Sequence, residues 1–174
     1  MSPRHLFLAT ASALLLGAAP APQAVSADQA FTELSKLVGT WRGSDQSESP
    51  LRIRFYLTAG GTVLVESWER TAGQPHSLTL YHRDGAKLIA THYCPQGNQP
   101  RLSLTVTGTK FNFAFRDATD LDAGESHLHQ LGFDLVDANH PVRTETYRKD
   151  GKAEQSVLYL VRAAAAPARQ PANP

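Results

Sequence analysis

An all-β fold, an antiparallel meander of about ten short strands closing as a barrel or a sandwich, is what this 174-residue sequence predicts. Three observations carry that expectation. Apolar and polar residues alternate with period two through most of the chain beyond residue 39, the pattern of strands with one buried face. Glycine-bearing turn signals, Gly60-Gly61, Asp84-Gly85, Gly108-Thr109 and Asp150-Gly151, separate successive runs. The composition, 41% hydrophobic and 19% charged, is that of one ordinary globular domain and excludes a disordered chain or a polytopic membrane protein.

The first segment reads as a leader. Arg4 and His5 precede the apolar run from Leu6 to Ala19, and Val25 and Ala27 are small residues at the two positions a signal peptidase reads. Residues 1–27 are therefore expected to be a signal peptide cleaved after Ala27. Its apolar core is shorter than the roughly 18 residues a spanning helix needs, so no membrane anchor is expected after cleavage. The implied localisation is periplasmic or secreted. Removing 27 of the 174 residues leaves 147 and takes away one charge, Arg4, so 16 basic residues balance 16 acidic ones. A nucleic-acid partner is excluded on this reading, because displacing counterions from phosphates needs a basic surplus. The single cysteine, Cys94, cannot form an internal disulfide, and a domain of this size can hold by its core alone. At the other end, residues 163–174 are Ala- and Pro-rich without apolar periodicity and read as a disordered tail.

Between these ends a barrel domain is expected over 28–162. Asp28 is placed to cap a short N-terminal helix reaching about Val38, with Phe31, Leu34, Leu37 and Val38 on one face. Strand-like runs follow at 40–44, 51–58, 62–70, 76–83, 86–94, 101–107, 110–116, 127–136, 142–149 and 153–162. Turn chemistry sets several registers. A turn at Gly60-Gly61 places Arg52 opposite Glu69 as an exposed ion pair, Ile53 opposite Trp68 and Phe55 opposite Glu66. Glu66 and Trp68 then point inward with Leu51, Leu57 and Leu64. The Gly108-Thr109 turn sets Leu104 against Phe113, with Phe111 and Phe115 on the same side. Period two groups His127 and His129 with Leu131, Phe133 and Leu135 on an apolar face. A turn centred on Asp84-Gly85 puts His82 and Tyr93 on one face and Tyr81, His92 and Cys94 on the other. Which of these two faces is interior stays open.

The run Leu37-Val38-Gly39-Thr40-Trp41-Arg42-Gly43, a helix end leading into Gly-x-Trp, resembles the opening motif of the lipocalin-like (calycin) barrels. Within that superfamily, Gly-Thr-Trp-Arg-Gly, Pro75-His76 and the segment from Thr91 to Arg101 are similar to nitrobindin-like and fatty-acid-binding-protein-like exported bacterial proteins of unassigned activity. The resemblance implies a ten-stranded antiparallel meander β-barrel. It also implies structural roles for Gly39, for Trp41 as a plug at the closed end, and for Arg162 as its partner on the last strand. Nitrobindins hold haem through a histidine near the C terminus. Here no histidine follows His140, and Tyr159 is the only candidate iron ligand on the last strand.

The function expected is binding of a small, mostly apolar or amphipathic molecule inside the barrel. Glu66, Trp68, His82, His127 and His129 are the expected lining, since a buried carboxylate needs a cation, a histidine or ordered water beside it. His92, Tyr93 and Arg101 flank the polar loop 95–100, expected at the barrel mouth, where Arg101 would grip an anionic group by a forked hydrogen-bond pair. These eight residues form the ligand-binding set. Two alternatives stand beside it. One is a haem- or metal-dependent enzyme, with zinc held by His127, His129, His82 and Glu66. The other is a filled structural barrel without a small-molecule ligand. No nucleophile-elbow, phosphate-loop or paired-carboxylate motif is present, and Cys94 reads as a small buried hydrophobe.

Overall fold

The computed structural model describes residues 25–45, 49–71 and 74–163. The expected signal peptide and tail lie almost wholly outside the described residues. A helix, α1 (Ala27–Leu34), and a 3₁₀ turn (Ser35–Leu37) lead into ten strands. These are β1 (Gly39–Gly43), β2 (Arg52–Thr58), β3 (Val63–Thr71), β4 (Gln74–Asp84) and β5 (Lys87–Tyr93), then β6 (Gln99–Thr107), β7 (Lys110–Thr119), β8 (His127–Asp134), β9 (Val142–Lys149) and β10 (Lys152–Arg162). Every neighbour in sequence is a hydrogen-bonded antiparallel neighbour, and β1 pairs with β10, so the sheet closes into a barrel. Closure leaves no unpaired sheet edge. The barrel rather than the sandwich is thus the outcome, and it fits a calycin-like fold.

The registers set by turns are largely those observed. Arg52, Ile53 and Phe55 face Glu69, Trp68 and Glu66. The connection there is a 3₁₀ turn, Ala59–Gly61, with Gly60 and Gly61 at φ 66° and 86°, and the symmetric loop preserves the pairing. Leu57, expected inward, is 45% exposed at the strand end. The anticipated Arg52–Glu69 ion pair is replaced by a diagonal one, Arg54 Nε to Glu69 Oε1 at 3.1 Å, while Arg52 bonds the Ser49 and Leu51 carbonyls. The Gly108-Thr109 and Asp150-Gly151 hairpins have the expected pairing. One register slips: Asp84 pairs with Lys87, so Gly85-Ala86, not Asp84-Gly85, form the turn. A slip of one pair leaves face membership unchanged, because the side-chain period is two.

One end of the barrel is closed. The cap of α1 is Ser26, not Asp28: its Oγ accepts from Gln29 N while the Gln29 side chain accepts from Ser26 N, a reciprocal capping box. Ala30, Phe31, Leu34 and Leu37 are buried in the core, whereas Val38 is 42% exposed because the chain has already turned extended there. Burying Phe31 and Leu34 contributes roughly 1.5–3 kcal/mol each. Trp41 is fully buried below them, donating from Nε1 to Leu37 O at 2.6 Å. The Arg162 guanidinium lies 4.0 Å over the indole and donates to Val38 O at 2.8 Å. Gly39, at φ 135°, sits against that arginine: a Cβ there would lie 2.3 Å from Nη1.

Candidate functional site

The opposite end, formed by the start of β2 and β4 and the ends of β3, β5 and β9, holds a pocket of about 240 Å³. Trp68, His92, Arg143, Glu145 and Tyr147 line its depth, and Leu51, Arg70, His76, Pro95 and Gln96 line the rim. Pro95 and Gln96 belong to the expected mouth loop, a turn tied by Cys94 N to Asn98 O at 3.1 Å.

Period two on β9 aims Arg143, Glu145 and Tyr147 inward together. Arg143 is only 2% exposed. Its Nε donates to Glu66 Oε1 at 2.8 Å, its Nη1 donates to Glu145 Oε2 at 2.7 Å, and its plane lies 4.7 Å over the Trp68 ring. Glu66, fully buried, also accepts from Trp68 Nε1 at 2.6 Å and from the Tyr81 hydroxyl. The inward carboxylate therefore has its cation, and the cation is Arg143 rather than any histidine. Among the described residues, Arg143 Nη2 is buried and has no hydrogen-bond partner. The electrostatics follow from this packing. Burial disfavours the charge on Arg143, but the Glu66 and Glu145 carboxylates outweigh it and hold the guanidinium more firmly protonated than usual. Burial likewise pushes Glu145 up, yet the Arg143 charge and hydrogen bond win and leave its carboxyl below the ordinary range. Burial and the Glu66 charge raise the Tyr81 phenol well above its ordinary value.

Beside this cluster, His92 Nδ1 is hydrogen-bonded to Thr79 Oγ1 at 2.9 Å, and its Nε2 to the Tyr147 hydroxyl at 3.2 Å. Burial, reinforced by Arg143 and opposed by Glu145, pulls the imidazole down to about 4, so it is neutral near pH 7. Burial raises the Tyr147 phenol, with Cys94 and Glu145 adding to it, and also raises the Cys94 thiol. Neither is an ionised nucleophile at neutral pH.

The open choice between His82 and His92 resolves in favour of His92. The inward face of β4 and β5 carries Thr79, Tyr81, Ala90 and His92, because Glu66 on β3 pairs with Thr79 and sets the parity. His82 pairs with Val63 and Ile89 on the outer side, and the expectation that it lines the interior is corrected. Tyr93 is 45% exposed on that outer face. Arg101 also faces outward and is held by Asp117 on β7, so it does not reach the pocket. His127 and His129 depart for another reason. A register shift between Leu128 and Gln130 puts Leu128 into the core, opposite Tyr147, and places His127 opposite the exposed Arg148. His127 and His129 instead gather with Phe115, ring centroids 5.0 and 5.4 Å away, apart from the pocket lining. The four groups expected to take zinc thus do not converge, and the described residues contain no cluster of three or more His, Cys, Asp or Glu able to hold a metal ion. Tyr159 is 62% exposed and cannot serve an interior iron.

Of the eight expected ligand-binding residues, the structure brings together Glu66, Trp68 and His92. Those that sequence reasoning missed are Arg143, Glu145, Tyr147 and Tyr81. No family model matches the chain, and no curated protein matches it either.

Proposed function

We propose that this protein is an exported calycin-like binding barrel that takes one small amphipathic molecule at its open end. The observation carrying this reading is the buried Arg143 guanidinium at the pocket, whose Nη2 has no partner within the described protein. An unpaired buried donor costs on the order of 1–3 kcal/mol, which a ligand acceptor would recover. A barrel with convergent polar groups beside aromatic walls is compatible with that role. The pocket of about 240 Å³ exceeds the roughly 150 Å³ of a cavity that binds benzene and falls below the range of about 300–1,000 Å³ usual for drug-sized ligands. A one- or two-ring molecule suits it better than a long lipid. His92 is neutral and bonded on both ring nitrogens, which favours a hydrogen-bonding wall over a metal or haem ligand.

Saturation-transfer NMR with phenol, indole and benzamide, together with Trp68 fluorescence, tests this. Saturable binding is expected, with a fluorescence change that disappears in Trp68→Phe. Absence of binding by all three probes would favour the filled structural barrel instead.

A further inference from the structure

Resting on that reading of the pocket, we infer that the ligand is an uncharged group that both accepts and donates hydrogen bonds, a primary amide or its like, and not a carboxylate. A lone buried arginine would ordinarily suggest an anion. Here the guanidinium is already over-matched, since Glu66 occupies Nε and Glu145 occupies Nη1. Two carboxylates against one buried cation leave the floor with a surplus negative charge. Arg70, the other cation lining the pocket, is exposed at the rim, where solvent screens it.

Nη2 is covered by its neighbours, so an acceptor reaches it as the side chains around it shift, and the groups bonded to the rest of the guanidinium then decide what can sit there. Nη1 and Nη2 share one carbon, and Glu145 Oε2 lies 2.7 Å from Nη1. An acceptor bonded to Nη2 therefore lies no more than about 8 Å from the Glu145 carboxylate, a range over which a ligand anion in a buried site is still repelled. A carbonyl meets the Nη2 donors without that penalty. Glu145 also keeps accepting capacity, because Ser156 reaches its Oε1 only at 3.3 Å and a carboxylate offers about four lone-pair sites. An amide N–H₂ beside the carbonyl would fill it. The ring of such a molecule would rest among Trp68, His92 and Tyr147, all lining the same pocket.

Calorimetric titration of the full chain at pH 7 with benzamide and with benzoate, molecules of nearly equal shape, isolates the charge. Benzamide is expected to bind at least about tenfold more tightly. In Glu145→Gln the ratio should shift toward benzoate, because the repelling charge is gone while an amide still accepts from Arg143. Benzoate binding as tightly as benzamide to the wild type would overturn the inference and leave the binding barrel standing, as would an unchanged ratio in folded Glu145→Gln. Failure of both probes to bind would overturn inference and binding reading together. Should Glu145→Gln not fold, the wild-type ratio alone decides.

Discussion

Arg143 and Glu66 form the buried charge pair on which the interior depends, at 2% and 0% side-chain exposure. Removing one member strands the other in a low-dielectric site. Arg143→Met should therefore lose about 3–5 kcal/mol of stability in urea unfolding, and adding Glu66→Leu to it should restore much of that loss. His92 makes stability depend on pH. Its native value lies near 4, below the ordinary 6.5, so the unfolded state binds the extra proton between those limits. Stability should fall by about 1.4 kcal/mol per unit as pH drops through that window, level off below it, and lose this slope in His92→Gln. Glu66 was legible in the sequence, because the Gly60-Gly61 turn fixes its register against Phe55. Arg143 was not. The Asp150-Gly151 hairpin sets it opposite Leu158, but the alternate face of β9 sits opposite Val157 and Tyr159, equally apolar by type. With apolarity tied, an arginine is assigned outward by default, and only the carboxylate across the barrel, 77 residues away in sequence, reverses that.

At the scale of elements, the ten strands and the short helix could be placed from alternation and turn chemistry, since both act locally. What alternation cannot see is a break in its own phase. The β8 irregularity at Leu128/Gln130 turns Leu128 into the core, sets His127 opposite the exposed Arg148 and leaves both histidines beside Phe115 rather than in the pocket lining. The helix cap has a similar lesson. Ser26 precedes the expected cleavage point after Ala27, so processing there would remove the capping box. A chain starting at Asp28 should unfold about 1 kcal/mol more easily than one starting at Val25, and Ser26→Ala in the longer chain should cost about the same in urea titration. Gly39→Ala tests the closed end. Its positive φ and the Arg162 guanidinium anchored on Val38 O both oppose a Cβ, so a clear fall in thermal midpoint is expected, larger than for Gly151→Ala, whose Cβ meets nothing within 4 Å.

The whole molecule holds its shape by closing a sheet around one core, with α1 and Trp41 sealing one end and the polar cluster of Arg143 lying below the other. Cys94, buried near the open end, reports on that closure. Its burial and raised thiol value predict that a thiol reagent labels it only as fast as the barrel opens, with a large acceleration at the urea midpoint; rapid labelling in native buffer would show a looser mouth. The overall pattern of strands was readable because composition and turns dictate it. The chemistry of the site was not, because it arises where β3, β4, β5 and β9 meet across the barrel. The most direct test of that chemistry is a crystal structure of the protein grown with benzamide. The amide carbonyl is expected within hydrogen-bond distance of Arg143 Nη2; an empty pocket with Nη2 bonded to another protein group would rule this chemistry out.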